Sequence, residues 1–139
     1  MMNSNDPVRE FLRERGSSPN LIDGGLAGLV ESWEAVVSAV EEGYTLGLDD
    51  YLNDLDVRQL LEEALPIAAD TQRQSFTKRV QQADEQMKQL VTPVPGCLWG
   101  AEVAEEEGWT ARKNWWYFSR PLQGNAELLA EIAEVIDEA

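Results

Sequence analysis

The chain has 139 residues, 43% of them hydrophobic, with 26 Asp and Glu against 11 Lys and Arg for a net charge of −15 at neutral pH. That length suits one domain and that apolar content suits one packed core, which argues against disorder over most of the chain. The acid excess argues against direct nucleic-acid binding, which depends on Lys and Arg displacing counterions, and against anionic membrane surfaces; it suits a basic protein partner, or plain solubility.

Residues 1–5 read as a disordered polar tail ahead of a single helical domain over 6–139. "DPVREFLRERG" predicts a short helix: Asp6 caps it, Pro7 suits the first helical position, and Gly16 suits the stop. Val8, Phe11 and Leu12 share its apolar face. "SSPNLIDGG" reads as a connector. In the following "LAGLVESWEAVVSAVEEGY", Leu26, Leu29, Val30, Trp33, Val36, Val37, Val40 and Tyr44 recur at three- and four-residue spacing, the broad stripe of a core helix that ends at Gly43.

In "LGLDDYLNDLDVRQLLEEAL" the apolar register slips. Leu48, Tyr51, Leu52 and Leu55 fit one face, and Val57, Leu60, Leu61, Ala64 and Leu65 fit another. Asp56 accounts for the slip as the cap of a new helix, with Gln59 as its return partner and Leu55 packed on Leu60. Two short helices are therefore expected to meet near Asp56.

Pro66 interrupts, and a helix over 69–91 follows with a narrow seam of Phe76, Val80, Ala83, Met87 and Leu90. Such a seam pairs two helices, either along the edge of one domain or between two copies in a homodimer. "TPVPGCLWG" breaks the helical run, and "AEVAEEEGW" predicts a short helix ending at Gly108. "GNAELLAEIAEVIDEA" closes the chain as a helix capped by Asn125, with Leu128, Leu129, Ile132, Val135 and Ile136 on its buried face. The fold expected is mainly α: a single-domain bundle of five or six helices with a short extended or hairpin-like element around residues 96–120.

The chain has no histidine and one cysteine, Cys97. This excludes Ser–His and Cys–His nucleophile pairs, Cys/His zinc sites and an internal disulfide. "MMNSNDPVRE" lacks the basic-then-apolar pattern of a signal peptide, and no apolar run approaches the roughly 18 residues of a membrane span, so a cytoplasmic, membrane-free protein is expected.

"LDDYLND" sets Asp49 and Asn53, and Asp50 and Asp54, one helical turn apart, which suits oxygen ligation of magnesium. Asp-Asp-x-x-Asn resembles the diphosphate-binding helix of isoprenoid enzymes, which implies magnesium-assisted chemistry; their second metal motif is lacking here. The plainer reading is a helix start whose acids complement the dipole. The pairs Glu31 with Glu34 and Glu134 with Asp137 read as the wet faces of two helices. Carboxylates beside tryptophans also suit sugar hydrolysis, although tryptophan in a small domain is commonly core. No catalytic residue, metal site or cofactor is assigned.

"RKNWWYFSRP" gathers four consecutive aromatics, flanked by Arg112, Lys113 and Arg120. A row of rings before Pro121 favours an extended arm pairing with residues 96–100. Trp115 and Tyr117 would then face one side, and Trp116 and Phe118 the other. Residues 21–70 hold twelve acids opposed by Arg58 alone. The segment, with Trp109, thus reads as an aromatic lid whose rim cations reach acidic helix faces, or as a gripping patch, since Trp, Tyr and Arg are common hot-spot residues.

The function expected is a small acidic protein-binding module. The surface of Glu41, Glu42, Asp49, Asp50, Asp54 and Asp56 would meet a basic partner, by analogy of charge and size with immunity proteins, antitoxins and acidic mimics of nucleic acid. The rival expectations are a carboxylate-dependent, magnesium-assisted hydrolase of a nucleotide or sugar, and a structural homodimer joined by the 69–91 helix. An enzyme is the less favoured of these readings.

Overall fold

The computed structural model describes residues 6–137, the side chain of Asp137 excepted. The tail expected at 1–5 lies outside the described residues. The fold is mainly α: six helices, α1 (Pro7–Glu14), α2 (Pro19–Glu42), α3 (Leu48–Ala64), α4 (Asp70–Leu90), α5 (Ala101–Glu107) and α6 (Ala126–Asp137), and one two-stranded antiparallel sheet of β1 (Val91–Pro93) and β2 (Ser119–Pro121). Two short 3-10 turns, Leu65–Ile67 and Trp115–Phe118, complete it. Among the described residues no helix is long and apolar enough to cross a membrane.

Asp6 caps α1 as expected, its Oδ1 accepting from the backbone N–H groups of Val8 (3.0 Å) and Arg9 (3.3 Å). The expected connector over 17–25 is instead the first turn and a half of α2. Ser18 Oγ accepts from the Leu21 N–H at 3.4 Å and Pro19 occupies the first helical position, so the Ser-Pro pair is a helix start. The helix then kinks at Gly25, whose φ of 57° and ψ of −150° lie in a region essentially reserved for glycine. The kink seats α1: a Cβ on Gly25 would lie 3.3 Å from Arg9 Nε, and Arg9 Nη2 donates to the Asp23 carbonyl at 3.0 Å.

α2 is the central helix and packs against α1, α3 and α4. It contributes Leu26, Leu29, Val30, Trp33, Val36, Val37 and Val40 to one hydrophobic core. The seam of α4 lies against α2 within the chain, with Val80, Ala83 and Met87 all buried.

α3 is one continuous helix, not two meeting near Asp56. Its buried positions are Leu48, Tyr51, Leu52, Leu55, Arg58, Leu61 and Ala64, an unbroken stripe at helical spacing. The apparent slip arises because a charged residue holds a core position. Arg58 is 6% exposed and is neutralised where it lies: its Nε and Nη2 donate to Asp84 Oδ1 (2.9 Å) and Oδ2 (2.8 Å), and its Nη1 donates to Glu62 Oε1 (3.0 Å). Asp84 Oδ1 also accepts from Trp33 Nε1 at 2.9 Å, so one carboxylate ties α2 and α3 to α4.

The aromatic row is also corrected. Trp115–Phe118 forms a 3-10 turn rather than an extended arm, opened by the Tyr117 N–H donating to the Asn114 carbonyl at 3.0 Å. A strand would have sent neighbouring rings to opposite sides. The 3-10 turn aligns Trp115 with Phe118, both half-buried, and lets the neighbours Trp116 and Tyr117 both enter the core at 1% exposure each. Strand pairing falls at β1 and β2, with Val91 opposite Pro121 and Pro93 opposite Ser119, rather than at residues 96–100. The contact continues irregularly past the strands, through the Val94 N–H to the Phe118 carbonyl (2.9 Å) and the Leu98 N–H to the Tyr117 carbonyl (2.8 Å).

The rim cations do not tether this segment. Among the described residues Arg112, Lys113 and Arg120 make no ion pair, and Arg120 Nη1 donates to the Pro121 carbonyl at 2.9 Å. The cations that meet the rings come from the helices: Arg58 lies 4.4 Å from the Trp116 ring centroid and Lys88 lies 5.1 Å from that of Trp115. Each buried tryptophan removes about 150 to 250 Å² from water, which at about 25 cal/mol per Å² outweighs exposed ion pairs contributing about 0 to 1 kcal/mol.

Candidate functional site

The six acids grouped from sequence divide between two faces. Glu41 and Glu42 sit exposed in the last turn of α2, and Asp49 and Asp50 sit exposed in the first turn of α3. None of these four makes an ion pair among the described residues. Acids suit the start of α3, where the dipole is positive, but Glu41 and Glu42 oppose the negative end of α2.

Asp54 belongs beside them but is engaged inside the fold. Its Oδ2 accepts from the Tyr44 hydroxyl at 2.6 Å, and both residues line a 260 Å³ cavity with Glu42 and Leu46. Burial pushes the Asp54 carboxyl above its usual range; the Tyr44 hydrogen bond opposes this and the charge of Asp50 adds to it. Burial, then the bond to Asp54, pushes the Tyr44 hydroxyl well above its ordinary value. Nearby, the Asn125 side chain does more than cap α6. Its Oδ1 accepts from the Leu128 N–H at 2.8 Å, while its Nδ2 donates to the carbonyls of Tyr44 and Leu46, each at 3.0 Å, pinning the α2–α3 loop to α6.

Asp56 stands two residues on from Asp54, about 200° around the helix, and so faces elsewhere. It is mid-helix rather than a cap. Its Oδ1 accepts from the Tyr117 hydroxyl at 2.5 Å and from Trp99 Nε1 at 3.1 Å. Burial, then this bond, raises the Tyr117 hydroxyl far above its ordinary value.

These residues lie in an open cleft of about 830 Å³. α3 supplies Asp56, Gln59, Leu60 and Glu63; the end of α1 supplies Arg15; α5 supplies Val103 and Glu107. The segment after β1 and the aromatic segment supply Trp99, Trp109, Asn114 and Tyr117. Trp109 stacks on Tyr117 with centroids 4.2 Å apart and planes 24° from parallel.

A chain of hydrogen bonds stiffens one wall. Arg15 Nη1 donates to Glu63 Oε1, Gln59 Nε2 donates to Glu63 Oε2, and Asn114 Nδ2 donates to Gln59 Oε1, each at 2.9 Å. Asn114 Oδ1 in turn accepts from the Thr110 N–H at 3.1 Å.

The structure thus brings Asp56, Trp109 and Tyr117 together, and keeps Glu41, Glu42, Asp49, Asp50 and Asp54 apart from them. Trp116 packs inward over Arg58, while Trp115 and Phe118 lie half-buried against the core. Gln59, Glu63, Glu107, Trp99 and Arg15 escaped the sequence reading as cleft residues. Gln59 and Glu63 are one helical turn apart on the face of Asp56, a spacing visible in sequence; what sequence does not show is that Trp99, Trp109 and Tyr117 fold back over that face. Among the described residues no group of three or more His, Cys, Asp or Glu is arranged to hold a metal ion. Comparison with protein-family models, with curated proteins and with solved structures finds no match to this chain.

Proposed function

We propose that this chain is a protein-binding module that engages a basic partner through its acidic surface. The observation that carries the reading is the placement of Glu41 and Glu42. Two exposed carboxylates at a helix C-terminus are electrostatically unfavourable for the fold, and no cation of the chain offsets them among the described residues. Asp49 and Asp50, which the α3 dipole favours, lie just across the following loop and extend the acidic surface. Charge that opposes local stability without compensation is the pattern expected where a partner supplies the compensation.

Such a surface mainly accelerates encounter and selects the partner, and its effect falls as salt rises. The test is capture on the immobilised chain, followed by kinetics with the purified partner. Replacing Glu41 and Glu42 by Gln and Asp49 and Asp50 by Asn is expected to slow association at least about tenfold at low salt and leave dissociation little changed. Failure to retain any basic protein at low salt removes the reading.

A further inference from the structure

We infer that the cleft between α1, α3 and α5 is a recognition site for an arginine side chain carried on an extended basic segment of a protein partner. The inference rests on the proposed basic partner and names the group that the cleft takes from it.

Three properties of the cleft select the ligand. The first is its charge. Asp56, Glu63 and Glu107 line it against the single guanidinium of Arg15. Arg15 is already bound to Glu63, so the charges of Asp56 and Glu107 remain uncompensated. The second is the distribution of free hydrogen-bonding atoms. The side-chain amides of Gln59 and Asn114 are engaged with each other and with Glu63 and Thr110, and both oxygens of Glu63 accept bonds. At Asp56 both donors, Tyr117 and Trp99, converge on Oδ1, and among the described residues Oδ2 accepts nothing. The exposed Glu107 carboxylate likewise has no ion pair among the described residues. The free carboxylate oxygens of the cleft, Asp56 Oδ2 and those of Glu107, suit a ligand that donates hydrogen bonds and carries positive charge.

The third property is aromatic surface. Trp99, 36% exposed, and Trp109 line the cleft. A guanidinium presents five donors in one plane and stacks on aromatic faces, so a single group satisfies both the carboxylates and the rings. The volume of about 830 Å³ exceeds one side chain and suits a short segment around it.

The experiment titrates the intact chain with a short synthetic peptide of alternating glycine and arginine, and with the same peptide carrying citrulline, the neutral isostere of arginine. Calorimetry and tryptophan fluorescence follow binding. Asp56→Asn retains an Oδ1 acceptor for Tyr117 and Trp99; Glu107→Gln and Trp99→Ala change exposed side chains. Circular dichroism establishes that each variant is folded. The fourfold variant of Glu41, Glu42, Asp49 and Asp50 is titrated alongside.

Saturable binding of one arginine peptide per chain is expected, weakened about tenfold by each cleft variant and by the citrulline exchange, and weakened less by the fourfold variant at moderate salt, where remote charge is screened. Binding that the cleft variants leave intact but the fourfold variant abolishes overturns the cleft assignment and leaves the acidic-surface reading standing. Citrulline peptide bound as tightly as arginine peptide overturns it too, as does no saturable binding of either; retention of a basic protein on the fourfold variant and its parent then judges the broader reading separately.

Discussion

Arg58 and Asp84 form a bidentate pair between α3 and α4, with N···O distances of 2.9 and 2.8 Å, and Trp116 caps the guanidinium at 4.4 Å. The pair lies where a hydrophobic residue would continue the α3 stripe. Burying a cation there is tolerated because Asp84 and Glu62 supply three acceptors and the indole covers the remaining face.

Removing one partner leaves the other charge without compensation. Arg58→Met is expected to cost about 3 to 5 kcal/mol in denaturant unfolding, and Asp84→Leu alone a similar amount. The double variant is expected to recover only part of the loss: it dispenses with both desolvated charges but leaves the buried Trp33 Nε1–H without its Asp84 acceptor. Arg58→Lys is expected to remain well below the parent, because an ammonium cannot reproduce the planar fork or the stacking.

The Gly25 kink separates two effects of alanine substitution. Gly25→Ala places a Cβ at a φ of 57° and against Arg9, and is expected to destabilise by about 1 to 3 kcal/mol. Gly28, three residues on in the same helix, has open space around a built Cβ. Gly28→Ala is expected to stabilise by about 0.5 to 1 kcal/mol. Paired thermal melts of the two variants check both signs.

The three tyrosines, Tyr44, Tyr51 and Tyr117, all have hydroxyls held above their ordinary value, first by burial and then by nearby carboxylates. In the unfolded chain they ionise near pH 10. A folded pKa raised above the unfolded one contributes stability that is present below about pH 10 and lost as pH rises beyond it. Tyrosinate absorbance is therefore expected to stay flat past pH 10 and then rise for all three rings together, in step with unfolding followed by circular dichroism. A separate early titration of any one ring would contradict its packing.

Asp54 has the same sign in the acid range. Its folded pKa lies above the unfolded value, so its protonation favours the folded state, and that contribution fades as pH rises through the folded pKa. Asp54→Asn keeps an acceptor for the Tyr44 hydroxyl and removes the charge. The variant is expected to be at least as stable as the parent at neutral pH, with the difference shrinking as pH falls toward about 4. Unfolding free energies measured at the two pH values check this; a variant markedly weaker at neutral pH would contradict it.

The mainly helical class was legible because it follows from local periodicity and helix signals. The stripe from Leu26 to Val40, the narrow seam of α4, Asp6 with Pro7 and Asn125 act through neighbours within a turn or two. Uncompensated acid at the end of α2 was likewise visible as charge. What sequence could not carry was any feature decided by a distant partner. In sequence Arg58 stands only as the lone cation among the acids of residues 21–70; Asp84, on another helix, makes it a core residue. Asp56 reads as a cap until Tyr117 and Trp99 fold back to donate to it. The row Trp115–Phe118 has strand propensity, but burying Trp116 and Tyr117 together requires a 3-10 turn, and burial outweighs propensity. The cleft exists only because residues from α1, α3, α5 and the aromatic segment converge. Sequence fixes local preferences through short-range backbone and side-chain chemistry; the choice of which polar groups are buried belongs to the tertiary fold, because their desolvation is offset only by partners far away along the chain.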